Sequence, residues 1–410
     1  VHLTAITRDE GQLRHDVMAA IHAWGDQAPS ARPIIHLGAT SCFVTDNGDL
    51  LIAQEALQLL RRRLHDVIAA LAGFAAQWAD QPTLGFTHFQ PAQPTTVGKR
   101  ACLWLQDLLL DLQDLDHVIA TTPVRGVKGT TGTQASFLEL FDGDGDKVEA
   151  LEARFCEKVG FPAIPVSGQT ATRKLEDRIG QVLCSIAASA SKFACDLRLL
   201  QHLKEVEEPF EKKQIGSSAM PYKRNPMRSE RINSLARFVL GLMPSTYQTS
   251  ATQWMERTLD DSAHRRLTLS QGLLAVDAIL VLYKNVASGL VVYPKMIEAR
   301  LAQELPFMAA EVMLMEAVKR GGDRQDLHER FRVAALEAGK AIKEEGRPNP
   351  LLQLLAADPA WRMGEPELAA LLDAGRFTGR AADQVRQFLA REVAMALQGH
   401  QEGEAADVRV

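Results

Sequence analysis

Residues Gln214 to Arg231 read Gln-Ile-Gly-Ser-Ser-Ala-Met-Pro-Tyr-Lys-Arg-Asn-Pro-Met-Arg-Ser-Glu-Arg. Two adjacent serines, a glycine, two prolines, a lysine and three arginines fall within these eighteen residues, between two long apolar-periodic segments. A core helix cannot use such a run. Gly216 and Pro221 predict an irregular, mobile loop. Asn225 followed by Pro226 predicts a helix start, with Asn as N-cap and Pro in the first turn, where its missing N–H costs nothing. The loop is therefore expected to deliver Ser217, Ser218, Lys223 and Asn225 to the positive end of a helix, a place suited to a carboxylate or phosphate. By composition alone the same run reads as a solvated basic surface loop.

Outward from this loop the sequence is helical nearly throughout. Between Ala53 and Ala79 there is no proline, and Leu57, Leu60, Leu64, Val67, Leu71, Phe74 and Trp78 alternate in steps of three and four. That is the seam of a bundle helix. Thr172 to Leu203 carries Leu175, Ile179, Val182, Ile186, Phe193, Leu197 and Leu200, and small residues from Ala187 to Ser191 permit close helix approach. With segments at about Thr96–Ala120, Met227–Leu242 and Ala263–Leu290, five long helices are expected to pack side by side. Domain boundaries are placed near residues 40 and 292. This gives a small helical entry region (1–40), a central region (41–292) bearing the loop 214–226, and a C-terminal helical region (293–410) with Gly321-Gly322 and Pro348-Asn349-Pro350 as breakers. The polar tail from Gln398 is expected to fray. The chain opens on Val1 rather than Met, so its N-terminal part is expected to be incomplete.

Apolar content of 46% and charged content of 24% are those of an ordinary globular protein, and a net charge of −5 argues against general nucleic-acid affinity. Five cysteines form no Cys-x-x-Cys pair and leave one odd, which suits a reducing cytoplasm. The longest apolar run, Gly272 to Tyr283, is interrupted by Asp277 and is too short to span a bilayer. No signal peptide, glycine-rich nucleotide fingerprint or metal-ligand spacing is visible, so neither a metal nor a cofactor is expected.

Several other stretches carry chemistry. Gly85 to Pro94 holds His88 in a segment that two prolines keep out of helix. Histidine changes charge near neutrality and suits general acid work, although a lone loop histidine is idle by default. Arg14-His15-Asp16 starts a helix-like segment. Thr40-Ser41 sets adjacent hydroxyls where they either cap the following helix or meet an anion. Arg125 to Thr133 packs three glycines and three threonines that would let backbone N–H groups approach an anion, without the spacing of a nucleotide-binding loop. Gly168-Gln169-Thr170 opens the second long helix. Arg257 to Arg266 alternates in sign like a solvated turn, yet arginine also recognises phosphate bidentately.

In their order these stretches carry a resemblance. Gly216 to Asn225 matches Gly-Ser-Ser-x-Met-Pro-x-Lys-x-Asn, the signature loop of the fumarase/aspartase superfamily, and Thr87 to Gln93 resembles its Thr-His-x-Gln-Pro-Ala-Gln block. Arg14-His15-Asp16, Thr40-Ser41, Lys128 to Thr131 and Arg257 to Arg266 narrow the resemblance to the adenylosuccinate lyase family of the animal-like type. It extends from Arg14 to the block Phe377 to Ala381. The resemblance implies an all-α protomer of three domains whose central five-helix bundle joins three others in a twenty-helix homotetramer core, each active site being shared between three subunits.

The same resemblance implies elimination of fumarate from adenylosuccinate and from succinylaminoimidazole-carboxamide ribotide in purine biosynthesis, without metal or cofactor. Ser217 becomes the base and Ser218 its alternative, and His88 the acid with His15 next in line. Arg14, His15 and Asp16 are expected on the nucleotide, and Thr40 and Ser41 on a succinyl carboxylate. Thr87, Gln169, Ser218, Lys223, Asn225, Arg231, Arg257, Ser262 and Arg266 are expected on the substrate as a whole. The family carries an Arg-Tyr phosphate contact ahead of the Arg-His-Asp block, which this sequence does not contain, so Arg231, Arg257 and Arg266 are expected to hold the phosphate. Two other readings share the serine loop: another superfamily lyase or cycloisomerase, and a crystallin-like structural protein. Lys128 to Thr131 and Arg257 to Arg266 speak against the first, and the presence of both Ser217 and His88 against the second.

Overall fold

The computed structural model describes residues 3–211, 213–401 and 408, so Val1 and most of the polar tail lie outside the described residues. Helices α1 (Leu3–Leu13), α2 (Asp16–Gln27) and α3 (Ser41–Gln77) lead into four two-residue strands, β1 (Pro82–Thr83), β2 (Phe86–Thr87), β3 (Gln90–Pro91) and β4 (Thr95–Thr96). Then come α4 (Val97–Thr121), α5 (Ala135–Leu140), α6 (Gly145–Val159), α7 (Lys174–His202), β5 (Val206–Glu207), α8 (Met227–Leu242), α9 (Ser245–Thr252) and α10 (Asp261–Ser288). The short β6 (Val291–Val292) precedes α11 (Pro294–Met308), α12 (Ala310–Lys319), α13 (Arg324–Glu345) and a series of shorter helices. The strands pair antiparallel as β1–β4, β2–β3 and β5–β6, so the chain is all-α apart from small ribbons.

The five expected long helices are α3, α4, α7, α8 and α10, and the ends of the last four fall within two residues of the sequence reading. Helix α3 begins at Ser41, well ahead of Ala53, through a stretch of Thr, Asp, Asn and Gly that favours helix poorly. Tertiary contacts hold it there: Asn47 donates to the Gly126 carbonyl at 3.2 Å and accepts the Gly126 N–H at 2.9 Å.

The chain divides into two compact units, with boundaries inside α3, α4, α7, α8 and α10. The first holds the chain up to Leu64, Leu110–Ser191 and Asn233–Val281. In it the seam residues Leu57, Leu60, Leu64, Ile179, Val182 and Ile186 are all buried. Ser185 donates to Asp111 at 2.5 Å between α7 and α4, and Asn233 of α8 donates to Ser191 of α7 at 2.9 Å. By length and composition α10 is long and apolar enough to cross a membrane. Its Asp277 pairs with Arg63 at 3.3 Å, and Val276, Ile279 and Leu280 are fully buried, the habit of a core helix.

The second unit comprises His65–Leu109, Lys192–Ile232 and the chain from Leu282 onward. Its long helices meet around Phe193, whose ring stands edge-on to Trp104 at 5.0 Å and stacks on Tyr283 at 4.1 Å. A separate cluster around Trp361, Met313, Leu314 and Leu327 fills the space among the C-terminal helices. Gly98, at the start of α4, donates its N–H to the Trp78 carbonyl and lies so close to the end of α3 that an added Cβ would sit 2.4 Å from the Ala75 carbonyl oxygen. Backbone cannot yield there as a side chain can. Gly98→Ala is expected to lower stability by about 1–3 kcal/mol. Gly73→Ala, in the last turns of α3 with nothing within 4 Å, is expected to raise it by up to about 1 kcal/mol. Thermal melts of the two variants check both signs.

Candidate functional site

In the first unit, local capping geometry sets out a polar cavity. Arg14 takes a left-handed turn (φ 55°) and His15 an extended one (φ −148°), ending α1 and starting α2. His15 Nδ1 accepts the Met18 N–H at 3.3 Å. Its other ring nitrogen, Nε2, faces Ser41 Oγ at 3.4 Å. Asp16 takes the Val17 N–H with one oxygen and the Arg266 guanidinium with the other, at 2.8 and 3.3 Å. Gln169 lies in the irregular segment before α7, where its N–H bonds the Glu256 carbonyl and its side chain donates to Thr40 Oγ1 at 3.0 Å. Arg257 reaches Cys42 Sγ at 3.3 Å.

These groups surround a cavity of about 430 Å³. Eight of the predicted site residues line it: Arg14, His15, Asp16, Ser41, Gln169, Arg257, Ser262 and Arg266. Thr40, buried behind the wall, joins through its bond to Gln169. A guanidinium pair beside a serine hydroxyl in the first turn of α10 is suited to a phosphate, and the imidazole, hydroxyls and amide opposite are suited to a polar ring or carboxylate.

Behind the cavity, and meeting it through Asp46, Asp49 and Arg265, lies an ion cluster that the sequence reading did not include. Arg173, its side chain 1% exposed, meets Asp261 at 2.6 Å, Asp46 at 3.1 Å and Glu176 at 3.3 Å. Arg265 meets Glu176 at 2.6 Å, Asp49 at 3.4 Å and Asp46 at 3.6 Å. Burial opposes the charge on Arg173, and Asp46, Glu176 and Asp261 outweigh it, leaving its pKa above the ordinary value. Burial and the neighbouring Asp46 push the Cys42 thiol up. The sequence held one signal: Asp46 falls on the backward extension of the α3 seam, in register with Leu50, Ala53 and Leu57. A carboxylate at a seam position is a buried carboxylate, and a buried carboxylate needs a cation.

The second unit holds the remaining candidates. His88 and Phe89 form the tip of the β2–β3 hairpin, with Phe86 opposite Pro91 and Thr87 opposite Gln90. Both tip residues have positive φ, 52° and 56°, as a two-residue type I′ turn requires. Thr87 and His88 are exposed. In the signature loop, Ser217 Oγ accepts the Met220 N–H at 3.2 Å, and Asn225 Nδ2 donates to the Gly216 carbonyl at 2.7 Å, closing the loop on itself. Ser218, Lys223 and Arg231 are exposed.

One expectation is corrected here. Asn225 does not cap α8: the Pro226 carbonyl accepts the first helical bond, from Glu230, and the Asn225 amide is spent on Gly216. The free N–H groups of Arg228 and Ser229 are taken by Glu208 at 3.0 and 2.9 Å. The positive end of α8 is thus neutralised by a carboxylate of the same chain rather than left open to a ligand.

Arg173→Met removes the cation from Asp46 and Asp261 and is expected to cost about 3–5 kcal/mol. Arg61→Met, which breaks the Arg61–Asp116 pair whose side chains are 39% and 43% exposed, is expected to cost no more than about 1 kcal/mol. Denaturant titration of the two variants measures the difference.

A family model described as lyase matches residues 4–241, and one described as adenylosuccinate lyase C-terminus matches residues 306–388. The chain is 52% identical to adenylosuccinate lyase of Saccharomyces cerevisiae over 96% of its own length and 82% of that protein's. It is 46% identical to adenylosuccinate lyase of Schistosoma mansoni over 96% of its length and 83% of the relative's. Among solved structures it resembles the 3-carboxy-cis,cis-muconate lactonizing enzyme of Pseudomonas putida, with a TM-score of 0.80 at 24% identity, covering 97% of this chain and 86% of that one. It also resembles a fumarate lyase:delta crystallin of Brucella melitensis, with a TM-score of 0.68 at 19% identity over 88% and 76%. At such identities the two structures speak for the fold alone. With half of its residues identical to a curated relative over nearly its whole length, the chain belongs to the adenylosuccinate lyase family of the fumarase/aspartase superfamily.

Proposed function

We propose that the protein is a carbon–nitrogen lyase that eliminates fumarate from adenylosuccinate, leaving AMP, and performs the same elimination on succinylaminoimidazole-carboxamide ribotide. The observation that supports this most is the convergence of eight residues, chosen from scattered sequence blocks, on one cavity. In this reading Arg257, Ser262 and Arg266, with Arg231, hold the phosphate. Arg14, His15 and Asp16 hold the nucleotide, Thr40 and Ser41 a succinyl carboxylate, and Thr87, Gln169 and Asn225 contact the substrate.

Chemically, a base removes a proton from the succinyl carbon next to one carboxylate, whose charge grows as a carbanion forms. The C–N bond then breaks, its electron pair passes to nitrogen, and an acid protonates that nitrogen. Ser217 is the base, with Ser218 as its alternative, and His88 the acid. A serine is a poor base unless its oxyanion is stabilised. The Met220 N–H already directed at Ser217 Oγ begins that task. Because Glu208 occupies the end of α8, the remaining positive charge for the carbanion falls to Lys223 rather than to the helix dipole.

The reading also includes three domains (1–40, 41–292 and 293–410), a homotetramer with each active site shared between three subunits, and a cytoplasmic location. For the tetramer, the support is a pair of apolar stripes in the first unit: Ile52 and Leu59 on α3 are 65% and 37% exposed, and Leu267 and Leu274 on α10 are 63% and 67% exposed.

Ser217→Ala is expected to lower kcat for fumarate release by about 100- to 10,000-fold while leaving AMP binding intact, and His88→Ala to lower kcat over a similar range. An absorbance assay with adenylosuccinate reads both; wild-type rates in Ser217→Ala sink the assignment, and loss of activity in Ser218→Ala alone exchanges the two serines. Sedimentation is expected to show a tetramer, against which a stable folded monomer at micromolar concentration would count.

A further inference from the structure

We propose that Glu208 is a positioning residue for the elimination, holding the foot of the loop that carries Ser217 and Lys223; this rests on the function proposed above. Glu208 follows β5 and is 3% exposed. A carboxylate that deeply buried needs strong donors. Among the described residues its oxygens meet the Arg228 N–H at 3.0 Å, the Ser229 N–H at 2.9 Å and the Ser229 hydroxyl at 2.8 Å. The Arg228 guanidinium turns instead to the Pro209 carbonyl and Glu211. The charge of Glu208 is therefore answered by the positive end of the sixteen-residue α8.

The other side of Glu208 reaches the loop by a second route. Its own N–H is directed at Gln201 Oε1 at 3.4 Å, while Gln201 Nε2 donates to the Arg224 carbonyl at 3.0 Å. Next along the chain, Asn225 closes on the Gly216 carbonyl, and a Cβ on Gly216 would lie 2.1 Å from the Lys223 carbonyl oxygen, so the two arms of the loop touch at this point. Ser217 follows Gly216 directly, and Lys223 stands two residues before Asn225. Above this foot, Ser218 to Arg224 are exposed. The exposed arch takes its position from its anchorage, and Glu208 grips that anchorage from both sides.

The substitution that tests this in the full chain is Glu208→Gln, which keeps the shape but turns one acceptor into a donor facing α8. The expected result is a fall in kcat of at least about tenfold with the AMP dissociation constant within about twofold, because the loop carries the base and not the nucleotide contacts. Hydrogen exchange at residues 216–225 is expected to quicken. Ser229→Ala, which keeps the carboxylate and both N–H bonds, is expected to retain kcat within about threefold. Should Glu208→Gln fail to fold, Gln201→Ala cuts the link to Arg224 without stranding a charge and is expected to move kcat and exchange in the same direction. A lower thermal midpoint with wild-type kcat in the folded variant would make Glu208 a structural cap and overturn the proposal. If the wild-type protein releases no fumarate from adenylosuccinate, the function falls, while unchanged exchange at 216–225 in the variant separately overturns the role of Glu208.

Discussion

Arg173 is the contact on which the first unit depends. Its guanidinium is almost wholly removed from water, and Asp46, Glu176 and Asp261 approach it from α3, α7 and α10. Removing any one of these helices from its place would strand a buried charge, which is far costlier than losing an apolar contact. Asp46 also accepts the Ala171 N–H at 2.7 Å, fixing the irregular segment that places Gln169 against Thr40. Asp261 starts α10, and Arg265, one turn on, repeats the pairing with Glu176 and Asp46. Arg257, Ser262 and Arg266 are thus presented to the cavity by a helix start that the ion cluster pins down.

The second unit solves a different electrostatic problem. A lysine- and arginine-rich loop at a helix start suggests an anion site, yet here the helix end is filled by Glu208 and the Asn225 side chain faces inward. The loop gains a rigid foot and an exposed arch, an arrangement suited to closing over a substrate and excluding water. What it gives up is the helix dipole as a direct stabiliser, which concentrates that task on Lys223.

Much of this was legible in the sequence because local and global signals agreed. The three-and-four seams from Leu57 to Phe74 and from Leu175 to Leu200 are buried as read, and the ends of α8 coincide with the expected ones. Eight of the candidate site residues, drawn from separate stretches of sequence, line one cavity. The misreadings have physical causes. Asn225-Pro226 has the composition of a cap, but the competing acceptor, Gly216, sits nine residues away and cannot be seen from local spacing. Asp46 was visible as a break in the seam, but its partners Arg173 and Arg265 come only far along the chain, the first of them 127 positions on. The positive φ of His88 and Phe89 was also hidden, since neither residue is one that usually marks a type I′ turn.

The central claim is that the cavity above the Arg173 cluster receives the nucleotide, with arginines from the turn before α10 and from its first turns on the phosphate. Calorimetric titration of AMP into the wild-type protein and into Arg266→Met tests it most directly, because Arg266 is 60% exposed and lies outside the buried cluster. A charged hydrogen bond contributes about 1.5–3 kcal/mol, so the account predicts roughly tenfold to hundredfold weaker AMP binding in the variant. Equal affinity of the two proteins for AMP would contradict it.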